Sequence, residues 1–213
     1  MPTKAPLQNR VTPTGDIIAT AARGLYMGNR GGRIHDPDTR TLTNRRWASR
    51  RWICCVTEFK NRSRKIMGDG YTELFFLDET TALAAGHRPC FECRREEAKA
   101  FARAFPRERP DQGALSTDRM DATLHGERLD GRSQRHFQAR IADLPDGAFV
   151  GIGGAPHALF ERGLIAWSAD GYRAFSLDFP GGDVTVLTPK SICETLANGY
   201  RPHWHPSARA ARE

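Results

Sequence analysis

Pro89-Cys90-Phe91-Glu92-Cys93 constrains this chain more than any other segment, because a C-x-x-C at a tight turn in front of a helix places two thiolates on one metal ion. The flanks agree with that placement. Asp78 to Ala85 predicts a short helix with Asp78 as its N-cap, Gly86 supplies the left-handed stop, and Pro89 bars continuation. Arg94 to Phe105 then carries Ala98, Phe101, Ala102 and Phe105 at helical spacing, so Cys93 falls at a helix N-terminus, where the macrodipole favours a thiolate. A redox dithiol would be expected in a thioredoxin-like βαβ setting, which the pattern lacks, and isolated buried cysteines have no reason to take this spacing.

A zinc site takes four protein ligands, or three when one position is kept for an outside group. The remaining cysteines are Cys54, Cys55 and Cys193. Trp52 to Phe59 reads as a strand, on which Cys54 and Cys55 face opposite sides, so one of them is the expected third ligand. Alternation does not choose between them; Cys55 is the working choice. For the fourth ligand the first candidate is His35, a loop histidine with Asp36 beside it to set its orientation. The alternative is a solvated loop histidine. His87 is too near the knuckle to ligate easily, though it could orient a ligand.

From Leu74 to Arg95 the chain reads Leu-Phe-Phe-Leu-Asp-Glu-Thr-Thr-Ala-Leu-Ala-Ala-Gly-His-Arg-Pro-Cys-Phe-Glu-Cys-Arg-Arg. This stretch resembles the metal-binding domain of Ada-type DNA-alkylation repair regulators. The resemblance implies an aromatic strand, a short Ala-rich helix and a turn that gives half of a four-cysteine zinc site, with Cys90 and Cys93 matching that half. In the family the other half is an upstream C-x-x-x-C, whose first cysteine can accept a methyl group from a DNA phosphotriester. Here the residue four on from Cys54 is Glu58 and from Cys55 is Phe59, so that pair has no counterpart. The resemblance therefore implies a metal-binding scaffold that touches DNA, over about a tenth of the chain.

The 213 residues hold 39% hydrophobic and 27% charged side chains, enough for one large or two small globular domains. No apolar run has membrane-spanning length and no signal-peptide pattern opens the chain. An odd count of five cysteines with a C-x-x-C suits a reducing cytoplasm better than a disulfide framework. The net charge of +7 favours a polyanionic partner. Arg30, Arg33, Arg45, Arg46, Arg50 and Arg51 crowd one segment with Trp47 among them, a pattern suited to phosphate forks and base stacking. A solvated basic loop in an arginine-rich chain is the plain alternative.

The expected fold class is α+β. Residues 1–14 read as a disordered tail and 15–108 as the zinc module, built on a hairpin of Trp52–Phe59 with Tyr71–Leu77. A linker spans Pro106–Gly113. Residues 115–207 read as a helix followed by an antiparallel meander, barrel-like in its turn spacing, and 208–213 as a basic tail. The predicted helix Thr117–Leu129 has Ser116 as N-cap and Met120, Leu124 and Thr123 on its buried face; a last helix opens at Thr188-Pro189. Leu83-Ala84-Ala85-Gly86-His87-Arg88-Pro89 recurs as Leu196-Ala197-Asn198-Gly199-Tyr200-Arg201-Pro202, a helix stop used twice, which also raises His203 and His205 as metal ligands.

Catalytic candidates are His125 and Asp121, which share a helical face with Arg128, against the simpler reading of an exposed salt-bridged face. No nucleophile elbow, phosphate loop, dinucleotide fingerprint or H-E-x-x-H is present. The sequence thus points to a zinc-binding, nucleic-acid-binding protein, with DNA preferred to RNA, no membrane partner, and a link to DNA repair through the resemblance. The competing readings are a metal-dependent hydrolase or nuclease acting on nucleic acid, and a structural zinc module for a protein partner.

Overall fold

A computed structural model describes residues 5–62, 65–107 and 115–212, which form two six-stranded sheets, two two-stranded ones, five α-helices and a 3-10 turn at Ile141–Asp143. The first half runs β1 (Gln8–Val11), β2 (Ile17–Ala19), β3 (Tyr26–Arg30), the short pair β4 (His35–Asp36) and β5 (Thr41–Leu42), β6 (Trp52–Val56), β7 (Leu74–Phe76), α1 (Glu79–Ala84), β8 (Arg88–Pro89) and α2 (Arg95–Ala104). The second runs α3 (Thr117–Arg128), β9 (Leu129–Asp130), β10 (Ser133–Gln134), β11 (Phe137–Arg140), β12 (Phe149–Ile152), β13 (Ala155–Phe160), β14 (Gly163–Ser168), β15 (Gly171–Ser176), β16 (Asp183–Val186), α4 (Lys190–Ala197) and α5 (Ser207–Ala210). The class is α+β.

The first sheet has the order β2-β1-β7-β3-β6-β8 and is mixed: β1 runs parallel to β7 and β8 parallel to β6. This corrects the hairpin reading. β6 and β7 do not pair, because β3 lies between them and bonds to both. The turn at Gly68-Asp69-Gly70 belongs to a longer excursion, in which Glu73 Oε2 accepts the Met67 N–H. The second sheet, β11-β16-β12-β13-β14-β15, is antiparallel throughout and contains the expected meander as β12 to β15, in an open run with β11 and β15 at its edges.

The helices follow their caps. Asp78 Oδ1 accepts the Thr81 N–H at 2.9 Å, and Gly86 ends the turn at φ +80°, with Arg128 so close behind it that a Cβ would meet Cδ at 2.7 Å. α2 buries Ala98, Phe101 and Ala102, and Phe105 joins the same cluster. Ser116 caps α3 as expected, but its buried face is Met120, Asp121, Leu124 and Arg128, while Thr123 is exposed. Thr188 does not cap α4; its hydroxyl accepts the Phe149 N–H, and Pro189 takes the cap position.

Neither tail is as expected. Gln8–Val11 forms β1, with Val11 in a core cluster, and Ala208 is fully buried on α5 against β15. Residues 1–4 and 108–114, which hold most of the expected linker, lie outside the described residues. The expected division at residue 108 does not correspond to two cores. Leu77 and Ala84 pack with Phe149, Ile165 and Leu187, and Leu83 and Phe101 pack with Leu124 and Ile192.

Buried charge ties the halves together as well. Arg88 grips Asp121 through Nε and Nη2 at 2.9 and 2.7 Å. Glu79 forms an ion pair with Arg94 at 2.8 Å, accepts from the Tyr200 hydroxyl at 2.5 Å, and its Oε2 also takes the His203 N–H. Asp78 receives the Tyr172 hydroxyl and the His205 N–H. The repeated helix stop therefore has a structural use: the second copy docks its backbone on the N-terminus of α1. No helix among the described residues is long and apolar enough to cross a membrane.

Candidate metal centre

The pleat of β6 separates its two cysteines. Cys54, opposite Gly28, is fully buried in an apolar cluster with Leu74 and Phe76, and its sulfur takes a long contact of 3.5 Å from Arg94 Nη1. Burial raises its thiol pKa above the ordinary value. Cys55, opposite Met27, turns to the other face. β8 then lies parallel to β6, and the Cys90 N–H donates to the Cys54 carbonyl at 2.9 Å, which sets the knuckle beside Cys55. Within the knuckle the Arg94 N–H closes on the Cys90 carbonyl at 2.9 Å and the Glu92 N–H points at Cys90 Sγ at 3.4 Å.

The result is a group of three. The sulfurs of Cys55, Cys90 and Cys93 all lie within 4.8 Å of one another, and among the described residues no other histidine, cysteine, aspartate or glutamate joins them. Three thiolates on a tetrahedral ion with metal–sulfur bonds of ~2.3 Å stand roughly 3.8 Å apart, so the donor set fits an ion of that kind. Hydrogen bonds from Cys55 and Cys93, reinforced by backbone N–H groups, pull Cys90 below the usual thiol range. Cys55, as donor to both neighbours, is pushed up. Cys93 is raised as well, so the group without a metal favours one thiolate, on Cys90, and a bound cation would favour loss of the other two protons.

His35 is not part of it. Its ring is buried between Thr72 Oγ1, 2.5 Å from Nδ1, and the Gly68 carbonyl, 2.8 Å from Nε2, so both nitrogens are committed to holding the 66–72 excursion. Asp36 does not orient it either; its carboxylate accepts from the Asp38 and Thr39 N–H groups, which hold its pKa down. His35→Ala is expected to leave metal content unchanged while costing ~1–3 kcal/mol of stability through the orphaned Thr72 and Gly68 groups. Parallel metal assay and thermal melting check this, and loss of metal in a folded variant would contradict it. His203 and His205 contribute backbone to the α1 dock, and His205 Nδ1 faces Ser207 Oγ.

A cavity of about 370 Å³ opens against the three sulfurs. Its floor is one face of the first sheet, where Met27, Cys55 and Phe75 form one cross-strand row and Asn29 and Ile53 the next. Glu73, just before β7, lines the cavity together with Asn29. Glu73 is 3% exposed and its Oε1 accepts no hydrogen bond. Sequence reasoning passed over Glu73, and its position just before an aromatic strand gave only a weak signal.

The other candidates separate. Asp121 is wholly engaged by Arg88 and does not orient His125, which touches Arg128 Nη2 at 3.3 Å and Trp47 edge-on at 5.5 Å. Arg128 donates to the Gly86 and Arg50 carbonyls, so this helix face is a buried brace and carries no acid/base pair. Arg30 is buried, and its guanidinium and that of Arg128 lie 4.2 and 4.0 Å from the Trp52 ring centre. It is thereby removed from the nucleic-acid set. Arg46 and Arg51 reach Asp16 and Asp118, Arg33 donates to the Asp69 carbonyl, and Trp47 is half-buried. Arg45 and Arg50 are exposed and make no ion pair among the described residues. No protein-family model, curated protein or solved structure matches this chain.

Proposed function

We propose that the protein holds one zinc ion on Cys55, Cys90 and Cys93 and binds nucleic acid through the arginine loop that flanks this centre. The convergence of three cysteine sulfurs from two separate segments carries the metal half of the reading. Zinc is among the ions that thiolate donors favour, the five cysteines are all unbridged, and such a site suits a reducing compartment such as the cytoplasm. The resemblance of residues 74–95 to the Ada-type half-site supports the same ion, and it favours DNA over RNA as the polymer. Net charge +7 and the exposed Arg33, Arg45 and Arg50 support a polyanionic partner.

Fluorescence anisotropy with labelled single- and double-stranded oligonucleotides across a salt series tests the second half. Binding should weaken steeply with salt, and Arg45→Ala with Arg50→Ala should lower affinity and reduce the log–log slope by about one per lost phosphate contact. Absence of binding at low salt would overturn the nucleic-acid reading.

One observation favours a second reading, a metal-dependent hydrolase. The group offers three protein donors, and the cavity opens on it. Zinc, when bound, supplies Lewis-acid polarisation of an oxygen that reaches it. In such an enzyme Glu73 and Asn29 would orient the substrate across the sheet floor. Turnover on a nucleic-acid panel, lost in Cys90→Ser, would favour this reading over simple binding.

A further inference from the structure

The cavity beside the three cysteines does not stand alone. A second one, of about 690 Å³, shares Asn29, Ile53 and Tyr71 with it and continues to Gly31, Gly32, Ser49, Arg50 and Arg51. Together they form one groove with two chemically different ends. Both volumes lie in the range of small-molecule sites, ~300–1,000 Å³.

At the inner end the floor is apolar and flat, formed by Met27, Ile53 and Phe75, with Phe59 on the wall. Asn29, Thr57 and the Arg62–Glu92 ion pair also line this end, and Glu73 is the group there with a buried oxygen that lacks a donor. Its Oε2 accepts the Met67 N–H at 2.7 Å, its Oε1 accepts nothing, and the residue is 97% buried by its 3% exposure. A buried carboxylate oxygen without a donor is costly, and a ligand with N–H groups would relieve that cost. Asn29 lines the same cavity, and its Oδ1 accepts the Gly31 N–H. Two inter-strand spacings of ~4.8 Å separate the β7 row from β6, so the carboxylate and the cysteine group stand at opposite sides of a floor roughly 10 Å wide.

At the outer end the charge is reversed. Arg51 and Arg88 line the second cavity with their partners Asp118 and Asp121, and Arg50 adds a guanidinium that makes no ion pair among the described residues. Gly31, at φ +78°, and Gly32 let the 48–49 segment pack against that wall, where a Cβ would meet Ser49 Oγ and Ala48 Cβ.

A flat apolar slot with an acceptor at its end, joined to an arginine-bearing mouth, fits a molecule with a planar N–H-edged ring and an anionic tail. The geometry points to a nucleotide unit in this groove, its base on the sheet floor with the Watson–Crick edge at Glu73 and its phosphate at Arg50. The inference rests on the nucleic-acid reading above and deepens it, because the unit could be a free nucleotide or an unstacked residue of a strand. It also selects among bases. Guanine presents two adjacent donors, N1–H and N2–H₂, to a carboxylate; uracil presents one N–H flanked by two carbonyl oxygens, which the carboxylate repels.

The test uses the full-length metal-loaded protein with GMP and UMP as free probes and oligo(dG-dT) and oligo(dT) as strands. GMP should bind at least about tenfold more tightly than UMP. Glu73→Gln, which keeps size and an acceptor for the Met67 N–H, should erase that preference, and Ile66→Trp should weaken GMP binding by filling the cavity from an exposed position. Thermal melts establish that each variant is folded. If a strand binds with its preference for guanine lost in Glu73→Gln, the groove takes a residue of the polymer. GMP binding without strand binding places a free nucleotide there and sinks the polymer reading alone. Strand binding that both variants leave unchanged, with GMP and UMP equal or silent, overturns the groove while the polymer reading stands. Silence of all four probes overturns both.

Discussion

Cys90→Ser is expected to reduce zinc from about one ion per chain to a trace and to lower stability by several kcal/mol, seen as a Tm loss of roughly 10 °C. The cause is specific. Cys90 Sγ lies within 4.8 Å of both other sulfurs and faces the Glu92 N–H, so its loss removes one of three donors. Cys55→Ser and Cys93→Ser should behave alike, since two remaining thiolates are a poor tetrahedral set. Cys54→Ser is the control within the same strand. Its sulfur faces the apolar cluster under α1 and takes the long Arg94 contact, so zinc content should be unchanged and the cost should be ~1–2 kcal/mol for a hydroxyl among mostly apolar neighbours. Elemental analysis of the four variants, alongside melting, reads both effects. Loss of zinc in Cys54→Ser, with zinc retained in Cys55→Ser, would reverse the assignment of the two faces of β6.

Glu79→Ala should be the most damaging change away from the cysteines. Glu79 is fully buried and holds Arg94, Tyr200 and the His203 N–H at once, so its loss leaves a buried guanidinium and two donors without an acceptor. Breaking one side of a buried ion pair costs ~3–5 kcal/mol. Arg94 directly follows Cys93 and also contacts Cys54, so the damage should spread to the knuckle and weaken zinc affinity. Glu79→Gln keeps an acceptor for Tyr200 or His203 and should cost less than the alanine change. Denaturant unfolding of the two variants orders them; equal stability of Glu79→Ala and wild type would show that the network contributes little.

Local signals were legible in the sequence where one segment decides its own shape. Asp78, Gly86 and Ser116 act as caps and stops through contacts within a few residues, and the C-x-x-C turn carries its geometry in its spacing. The meander from β12 to β15 follows from short apolar runs separated by turn residues. What stayed hidden depends on distant partners. The hairpin expected from β6 and β7 gave way to β3, whose Tyr-Met-Gly-Asn-Arg has no alternation to mark it as a central strand. The choice between Cys54 and Cys55 needed the parallel pairing of β8, a two-residue strand.

Charge misled most. Asp121, Arg128 and Arg30 look like surface or catalytic groups by residue type, yet each is buried, paired or stacked on Trp52. His35 has the composition of a ligand and the hydrogen bonds of a loop clamp. In a chain with 32 lysines and arginines, residue type alone does not separate a guanidinium that braces the fold from one that meets a partner.

X-ray absorption at the zinc edge of the purified wild-type protein tests the three-cysteine centre most directly. One zinc per chain with three sulfur neighbours at ~2.3 Å and one lighter atom is the result expected. A shell of four sulfurs, or one in which nitrogen outnumbers sulfur, would contradict the assignment of Cys55, Cys90 and Cys93 as the full set of protein ligands.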